Sequence, residues 1–141
     1  MMLIKEFISE TNKKQMISIL FKHYGVENVK IKEKPIKRHA DFDVDRGTLT
    51  LSTRYKTIKP SKIKQFLITI IHEIDHAIDA KKLGWKKFKQ MYEKEQNMIA
   101  QGFYKNKTDV YWDNPFEIKA EKFGVKNWKK WYTKFKGLGL I

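Results

Sequence analysis

The sequence predicts an α+β fold in which a small antiparallel sheet packs on one long helix, with further helices after it. Three observations predict this: apolar and polar residues alternate around a turn in 40–51, a strong helical pattern follows in 61–84, and helix signals recur within 85–141. A chain of 141 residues is long enough for one domain with a substantial core. We therefore expect a single domain, 1–141, made of a helix and small sheet (1–60), the long helix (61–84) and a helical C-terminal part (85–141).

The composition is that of a folded protein outside membranes. Apolar residues make up 41% of the chain, and the absence of cysteine excludes disulfides, thiolate metal sites and cysteine nucleophiles. No stretch approaches the roughly 20 apolar residues that a membrane span needs, and the apolar start is too short for a secretory signal. We expect a cytoplasmic protein without a membrane partner.

The chain is strongly basic, with 30 lysine and arginine residues against 16 acidic residues and a net charge of +14. Such an excess makes nucleic acid a candidate partner. Only Arg38, Arg46 and Arg54 are arginines, however, and lysine lacks the planar fork that reads guanine. The charge is also spread along the chain rather than gathered in one basic arm.

The N-terminal part predicts one helix, one short strand and a hairpin. Thr11 is the expected cap of the helix and Gly25 its stop, with apolar residues at helical spacing between them: Met16, Ile17, Leu20, Phe21 and Tyr24. The strand contains Val29 and Ile31. The hairpin turns at Arg46-Gly47 and has one apolar face, made of Ala40, Phe42, Val44, Leu49 and Leu51.

The central helix begins at Pro60-Ser61, with Ser61 as its expected cap, and ends before Gly84. One broad side of this helix is apolar: Ile63, Phe66, Leu67, Ile70, Ile74, Ala77 and Ile78. The opposite side carries a narrow polar stripe: Gln65, His72, His76 and Asp79. The helix is therefore expected to pack on the sheet with its apolar side and to present polar groups from the other.

The C-terminal part predicts three more helices. The first is 85–100, and a polar and aromatic loop, 104–113, follows it. Asn114 then caps a helix that has Pro115 at its first position and ends at Gly124. The last helix carries an aromatic stripe with lysines in between: Trp128, Trp131, Tyr132 and Phe135. This spacing favours a core-facing stripe over a nucleic-acid-binding face.

The pattern with clear chemical content is His72-Glu73-Ile74-Asp75-His76, an HExxH inside the central helix. Residues four apart on a helix point the same way, so both imidazoles can bind one metal ion, with Glu73 beside it. Zinc held in this way activates a water molecule and polarises a carbonyl group. Glu73 would then be the general base of a hydrolytic reaction.

A catalytic zinc needs a third protein ligand, and the sequence restricts the choice. Lys82 stands where a longer HExxHxxGxxH motif has its third histidine, so that class is excluded. Glu117 is the favoured ligand because it lies in the first turn of the helix that Asn114 caps. Glu121, one turn later, is expected to bond the free nitrogen of a ligating histidine. Asp79, three residues after His76, is the competing ligand or orienting residue.

Two segments together resemble the small zincin-type metallopeptidases, including those that bacteriophages and prophages encode. They are His72-Glu73-Ile74-Asp75-His76-Ala77-Ile78-Asp79 and Tyr111-Trp112-Asp113-Asn114-Pro115-Phe116-Glu117-Ile118-Lys119-Ala120-Glu121. The resemblance covers roughly 40–125. It implies a gluzincin-like site with one zinc ion held by His72, His76 and Glu117, a helical part that covers the metal, and the host cytoplasm as location. It also implies an edge strand, expected at 48–53, that pairs with a peptide substrate.

Several assignments stay open at this level. Tyr104, Tyr111 and His39 are candidates by type for stabilising the oxyanion of the reaction. A zinc peptidase acting on a protein or peptide is the favoured function. A basic nucleic-acid-binding protein, including a protease of DNA-associated proteins, is the alternative, and a metal-binding structural domain is the third hypothesis.

Overall fold

A computed structural model describes residues 7–141 and confirms the α+β class. The helices are α1 (Glu10–His23), α2 (Ile63–Leu83), α3 (Trp85–Ala100) and α4 (Pro115–Gly137), and the strands are β1 (Lys30–Lys34), β2 (Ala40–Asp43) and β3 (Thr48–Ser52). Single 3₁₀ turns lie at Thr53–Tyr55 and Pro60–Lys62. The sheet packs on one side of α2, and α4 packs along another side. The long central helix is thus enclosed by two layers.

The sheet has three strands in the order β1-β3-β2 and is mixed rather than wholly antiparallel. The predicted hairpin is present, with Phe42 of β2 opposite Leu49 of β3 in antiparallel register. Strand β1 runs parallel to β3 on its other side, with Ile31 beside Leu49. Strand β3 is therefore central, and the expectation that 48–53 forms an edge was wrong. The edge strand that contacts α2 is β2.

Helix α1 contributes its predicted apolar face to the core. Met16, Leu20 and Phe21 are buried, as the helical spacing predicts. The cap, however, is Ser9, whose hydroxyl oxygen accepts a hydrogen bond from the backbone N–H of Asn12 at 3.1 Å. The helix therefore begins just before Thr11, which does not cap it.

Helix α2 begins at Ile63, after the 3₁₀ turn, so Ser61 does not cap it, and the cap position is Lys62 without a side-chain hydrogen bond. Of its predicted polar stripe, Gln65 is exposed, whereas His72, His76 and Asp79 are buried where other helices pack on α2. The middle of the helix is consequently buried on nearly all sides. In the part of the chain from residue 7 onward, no helix combines the length and the apolar character that crossing a membrane requires.

Helix α4 is one continuous helix, whereas the sequence predicted two separated at Gly124. A Cβ atom at position 124 would lie 2.7 Å from the carbonyl oxygen of Ile68 on α2. The glycine therefore allows two helices to approach closely and does not stop one. Beyond this crossing, Trp131 and Phe135 are buried, and Trp128 and Tyr132 pack against the core. The aromatic stripe thus belongs to the core, as its spacing predicts.

Candidate metal centre

Helix α2 carries a buried group with HExxH spacing. The side chains of His72, Glu73 and His76 are 4%, 4% and 7% exposed. One ligand-type atom from each of the three residues lies within 4.8 Å of the others. Because the histidines are four residues apart on one helix, their rings project in the same direction.

Helix α4 adds Glu117 to this group. Asn114 caps α4 by accepting a hydrogen bond from the backbone N–H of Phe116 at 3.0 Å, and Pro115 occupies the first turn. This local structure places Glu117 in the first turn, over α2. Its Oε1 atom lies 2.7 Å from Nε2 of His72 and 2.8 Å from Nε2 of His76. We call His72, Glu73, His76 and Glu117 the histidine cluster.

Glu121 lies one turn further along α4, as predicted, and contacts His72. Its Oε2 atom is 2.8 Å from Nδ1 of His72, so both ring nitrogens of this histidine face a carboxylate. The ring orientation of His72 is therefore set from two sides. Nδ1 of His76 is buried, and within the described chain it has no hydrogen-bond partner.

Tyr92, on α3, is a site residue that the sequence analysis did not identify. Its hydroxyl donates a hydrogen bond to Oε2 of Glu117, the oxygen that the histidines leave free. The backbone carbonyl of Tyr92 in turn accepts a bond from the Asn114 side chain at 3.2 Å. Helix α3 thus fixes both the start of α4 and the orientation of Glu117. No local pattern in the sequence connects residue 92 with residue 117.

Close packing of these groups shifts their pKa values. Burial raises the pKa of the Glu73 carboxyl to about 7, although the nearby histidines oppose the shift. Burial alone would lower the pKa of His72, but its hydrogen bonds to Glu117 and Glu121 outweigh burial and raise it to about 10. Burial also opposes ionisation of Glu117, yet its bonds to both histidines hold the pKa of this carboxyl well below its ordinary value. These hydrogen bonds to carboxylates thus favour the protonated form of His72 in the metal-free chain.

A second polar cluster on α2 occupies the neighbouring face. Lys119 of α4 donates to Asp75 at 2.7 Å and to both oxygens of Asp79 at 3.0 Å. We call these three residues the aspartate cluster. Asp79 was predicted to compete for the metal or to orient an imidazole. It instead pairs with Lys119, which lies on α4 and therefore cannot be identified as a partner from the helical spacing on α2.

Two clefts give access to Glu73. One has a volume of about 70 Å³ and reaches His72 and Trp112, and the other has a volume of about 170 Å³ and reaches His76. Both clefts are lined by Arg38 and Tyr111. The guanidinium group of Arg38 lies 3.9 Å from the centre of the Tyr111 ring. The Arg38–Tyr111 pair therefore stands between the two clefts, and strand β2 borders both.

The structure separates the three candidates for stabilising an oxyanion. Tyr111 lines both clefts beside Glu73, and His39 lines the smaller cleft. Tyr104 donates a hydrogen bond to Glu95 at 2.9 Å and lines neither cleft. Tyr111 and His39 are thus near the cluster, whereas Tyr104 is not.

The histidine cluster fits a divalent metal ion. Two imidazole nitrogens lie within hydrogen-bond distance of one carboxylate oxygen, so three potential metal ligands are close together. Imidazole nitrogen with carboxylate oxygen is a donor set found in protein metal sites. Comparisons of the chain with protein-family models, with curated proteins and with solved structures found no match. The assignment of a candidate metal site therefore rests on the geometry of the buried group with HExxH spacing.

Proposed function

We propose that the protein is a zinc-dependent metallopeptidase of the small, gluzincin-like type. The observation that carries this proposal is the position of Glu73. Glu73 lines both clefts, whereas Glu117 lines the larger one alone and has both oxygens engaged by the histidines and Tyr92. This arrangement supports Glu117 as the third metal ligand beside His72 and His76, and Glu73 as the group that acts on a substrate.

In the proposed mechanism, His72, His76 and Glu117 would hold the zinc ion. The bound ion would supply a Lewis acid that polarises a carbonyl group and lowers the pKa of water to about 7. Glu73 accepts the proton of the water molecule that attacks the peptide carbonyl, and then passes it to the departing amine.

Strand β2 is the proposed platform for the substrate. It is an edge strand of the sheet, and Ala40 lines one cleft while Asp41 and Phe42 line the other. An extended peptide can add to such an edge through backbone hydrogen bonds, which places successive side chains in alternate pockets. We therefore assign peptide pairing to β2 and not to 48–53, because β3 is the central strand of the sheet.

The substitution Glu73→Gln tests the proposal. We expect zinc-loaded wild-type protein to hydrolyse unfolded casein, and the variant to lose this activity while it keeps its fold and one zinc ion per chain. Glu93→Gln is the matched control, because Glu93 is an exposed carboxylate on α3. Equal activity of wild type and Glu73→Gln would refute the peptidase assignment. A wild type that binds zinc and hydrolyses nothing would support a structural metal site instead.

A further inference from the structure

A larger depression adjoins the smaller of the two clefts. It has a volume of about 520 Å³, and its lining includes Arg54, Lys59 and Lys62. His39 and Gln65 line both this depression and the cleft that reaches Glu73. The two spaces therefore share a wall, and an extended ligand can occupy both.

Among the described residues, positive charge lines the depression without a carboxylate to balance it. Three of these lining residues are cations and none is acidic, and the first turn of α2, at its border, contains no acidic residue. Among residues 7–141, no ion pair joins Arg54, Lys59 or Lys62 to a carboxylate. By contrast, Lys13 and Lys119 each contact two carboxylates.

Arg54 is held in place by neutral groups. Its Nε donates to the Ser52 hydroxyl at 3.1 Å, its Nη2 to the carbonyl of Lys37 at 3.1 Å, and its Nη1 to Nε2 of His39 at 2.9 Å. None of these acceptors carries a negative charge. The guanidinium group is therefore oriented in advance while its charge stays available to a ligand.

A chain of hydrogen bonds connects this guanidinium with α2. Because arginine can only donate, Nε2 of His39 accepts, and Nδ1–H of His39 then donates to the Tyr55 hydroxyl at 2.5 Å. The Tyr55 hydroxyl in turn shares a hydrogen bond with Oγ1 of Thr69 at 3.1 Å. Thr69 lies one helical turn before Glu73. The position of Arg54 is thus tied to the helix that carries the histidine cluster.

We propose that this depression, the basic subsite, binds a carboxylate of the peptide substrate, so that the enzyme prefers bonds near an aspartate or glutamate. The inference rests on the proposed peptidase function and names its substrate class. Arg54 is the specificity-determining residue, because its planar fork can bind a carboxylate through two hydrogen bonds. An acidic peptide suits the site better than a nucleic acid, since the depression shares His39 and Gln65 with the cleft that reaches Glu73, so one extended peptide can occupy both.

Binding to the inactive Glu73→Gln protein tests the subsite independently of catalysis. The probes are pairs of fluorescent peptides that differ only in having glutamate or glutamine at one position. This position is varied from pair to pair along the peptide, and binding is measured by fluorescence anisotropy in the presence of zinc at about 0.15 M salt. In one register we expect glutamate to bind about tenfold more tightly, the effect of one charge-assisted hydrogen bond. Adding Arg54→Met should remove this difference, and Arg54→Glu should favour a lysine peptide. Arg46→Met, at the exposed hairpin turn, should leave the difference unchanged.

Hydrolysis of the same peptides by active protein separates the two proposals. If no peptide is cleaved but the glutamate preference depends on Arg54, the peptidase assignment fails and the basic subsite stands. If peptides are cleaved and bound equally with glutamate and glutamine in every register, the subsite proposal fails and the peptidase assignment stands. Arg54-dependent binding of a single-stranded oligonucleotide, without any preference among the peptides, would assign the depression to nucleic acid and also overturn the inference. Should Arg54→Met fail to fold, Lys62→Glu, at an exposed position, provides the charge reversal.

Discussion

The histidine cluster and the aspartate cluster have the same layout on α2 but a different charge balance. Each contains two residues four apart on α2, and each is met by a side chain from α4. In the aspartate cluster, Lys119 supplies a cation from the chain itself. In the histidine cluster, the α4 partner is a carboxylate, so the only positive charge comes from protonated imidazoles.

This difference explains why one cluster is a candidate metal site and the other is an ion pair. A buried carboxylate is stable only when a cation or hydrogen-bond donors compensate it. The aspartate cluster is already compensated and has no need of a metal ion. The histidine cluster can exchange its protons for a divalent cation, which binds the nitrogens and the carboxylate together.

The largest effect is expected from removing a ligand in the histidine cluster. Losing a group that only orients a metal ligand typically lowers metal affinity roughly 10–100-fold. His72→Ala removes a proposed ligand itself and should therefore lower zinc affinity by more than this. Asp79→Asn, in the aspartate cluster, should leave zinc affinity unchanged. Competition with a chromophoric chelator measures both affinities. Equal losses in the two variants would show that the clusters do not differ in the way proposed.

Gly124→Ala should weaken both clusters at once, because α4 supports both. The added methyl group meets the Ile68 carbonyl, and such overpacking costs about 1–3 kcal/mol of unfolding free energy. Gly137→Ala is the control, since a Cβ atom there has no neighbour within 4 Å. Urea unfolding of metal-free protein gives both values. A variant as stable as wild type would mean that the close crossing at Gly124 is not required.

Lys119→Met tests the aspartate cluster alone. It leaves two buried carboxylates without their cation and should cost about 1–2 kcal/mol, less than for a fully buried pair because Lys119 itself is half exposed. Lys126→Met, at an exposed position on the same helix, should be nearly neutral. Urea unfolding measures both changes. If zinc restored the unfolding free energy that Lys119→Met loses, the aspartate cluster would itself be a metal site.

The last predicted effect is a pH dependence that appears only without metal. The pKa of His72 is about 10 in the folded chain and 6.5 ordinarily. Its protonation therefore stabilises the fold fully below pH 6.5, and this contribution is lost as pH rises toward 10. Metal-free protein should lose stability between about pH 7 and 10, and zinc-loaded protein should not. A flat profile for metal-free protein in urea unfolding would contradict the charge assignment of the cluster.

Local patterns in the sequence predicted α1, α2, α3 and the hairpin, because helical spacing and alternation are set by neighbouring residues. The same local reasoning located His72 and His76, and the Asn114 cap located Glu117. It could not predict the parallel pairing of β1 or the contact of Tyr92 with Glu117, which join distant parts of the chain. Gly124 was interpreted as a local helix stop, but the helix continues through it, because the glycine is required where α4 packs closely on α2.

Anomalous diffraction at the zinc edge, from crystals of the zinc-loaded protein, tests the central claim most directly. The account predicts one strong peak per chain, bonded to Nε2 of His72, Nε2 of His76 and a carboxylate oxygen of Glu117, with the Glu73 carboxylate nearby but not bound. A peak elsewhere, or zinc bound to the histidines with Glu117 turned away, would contradict it.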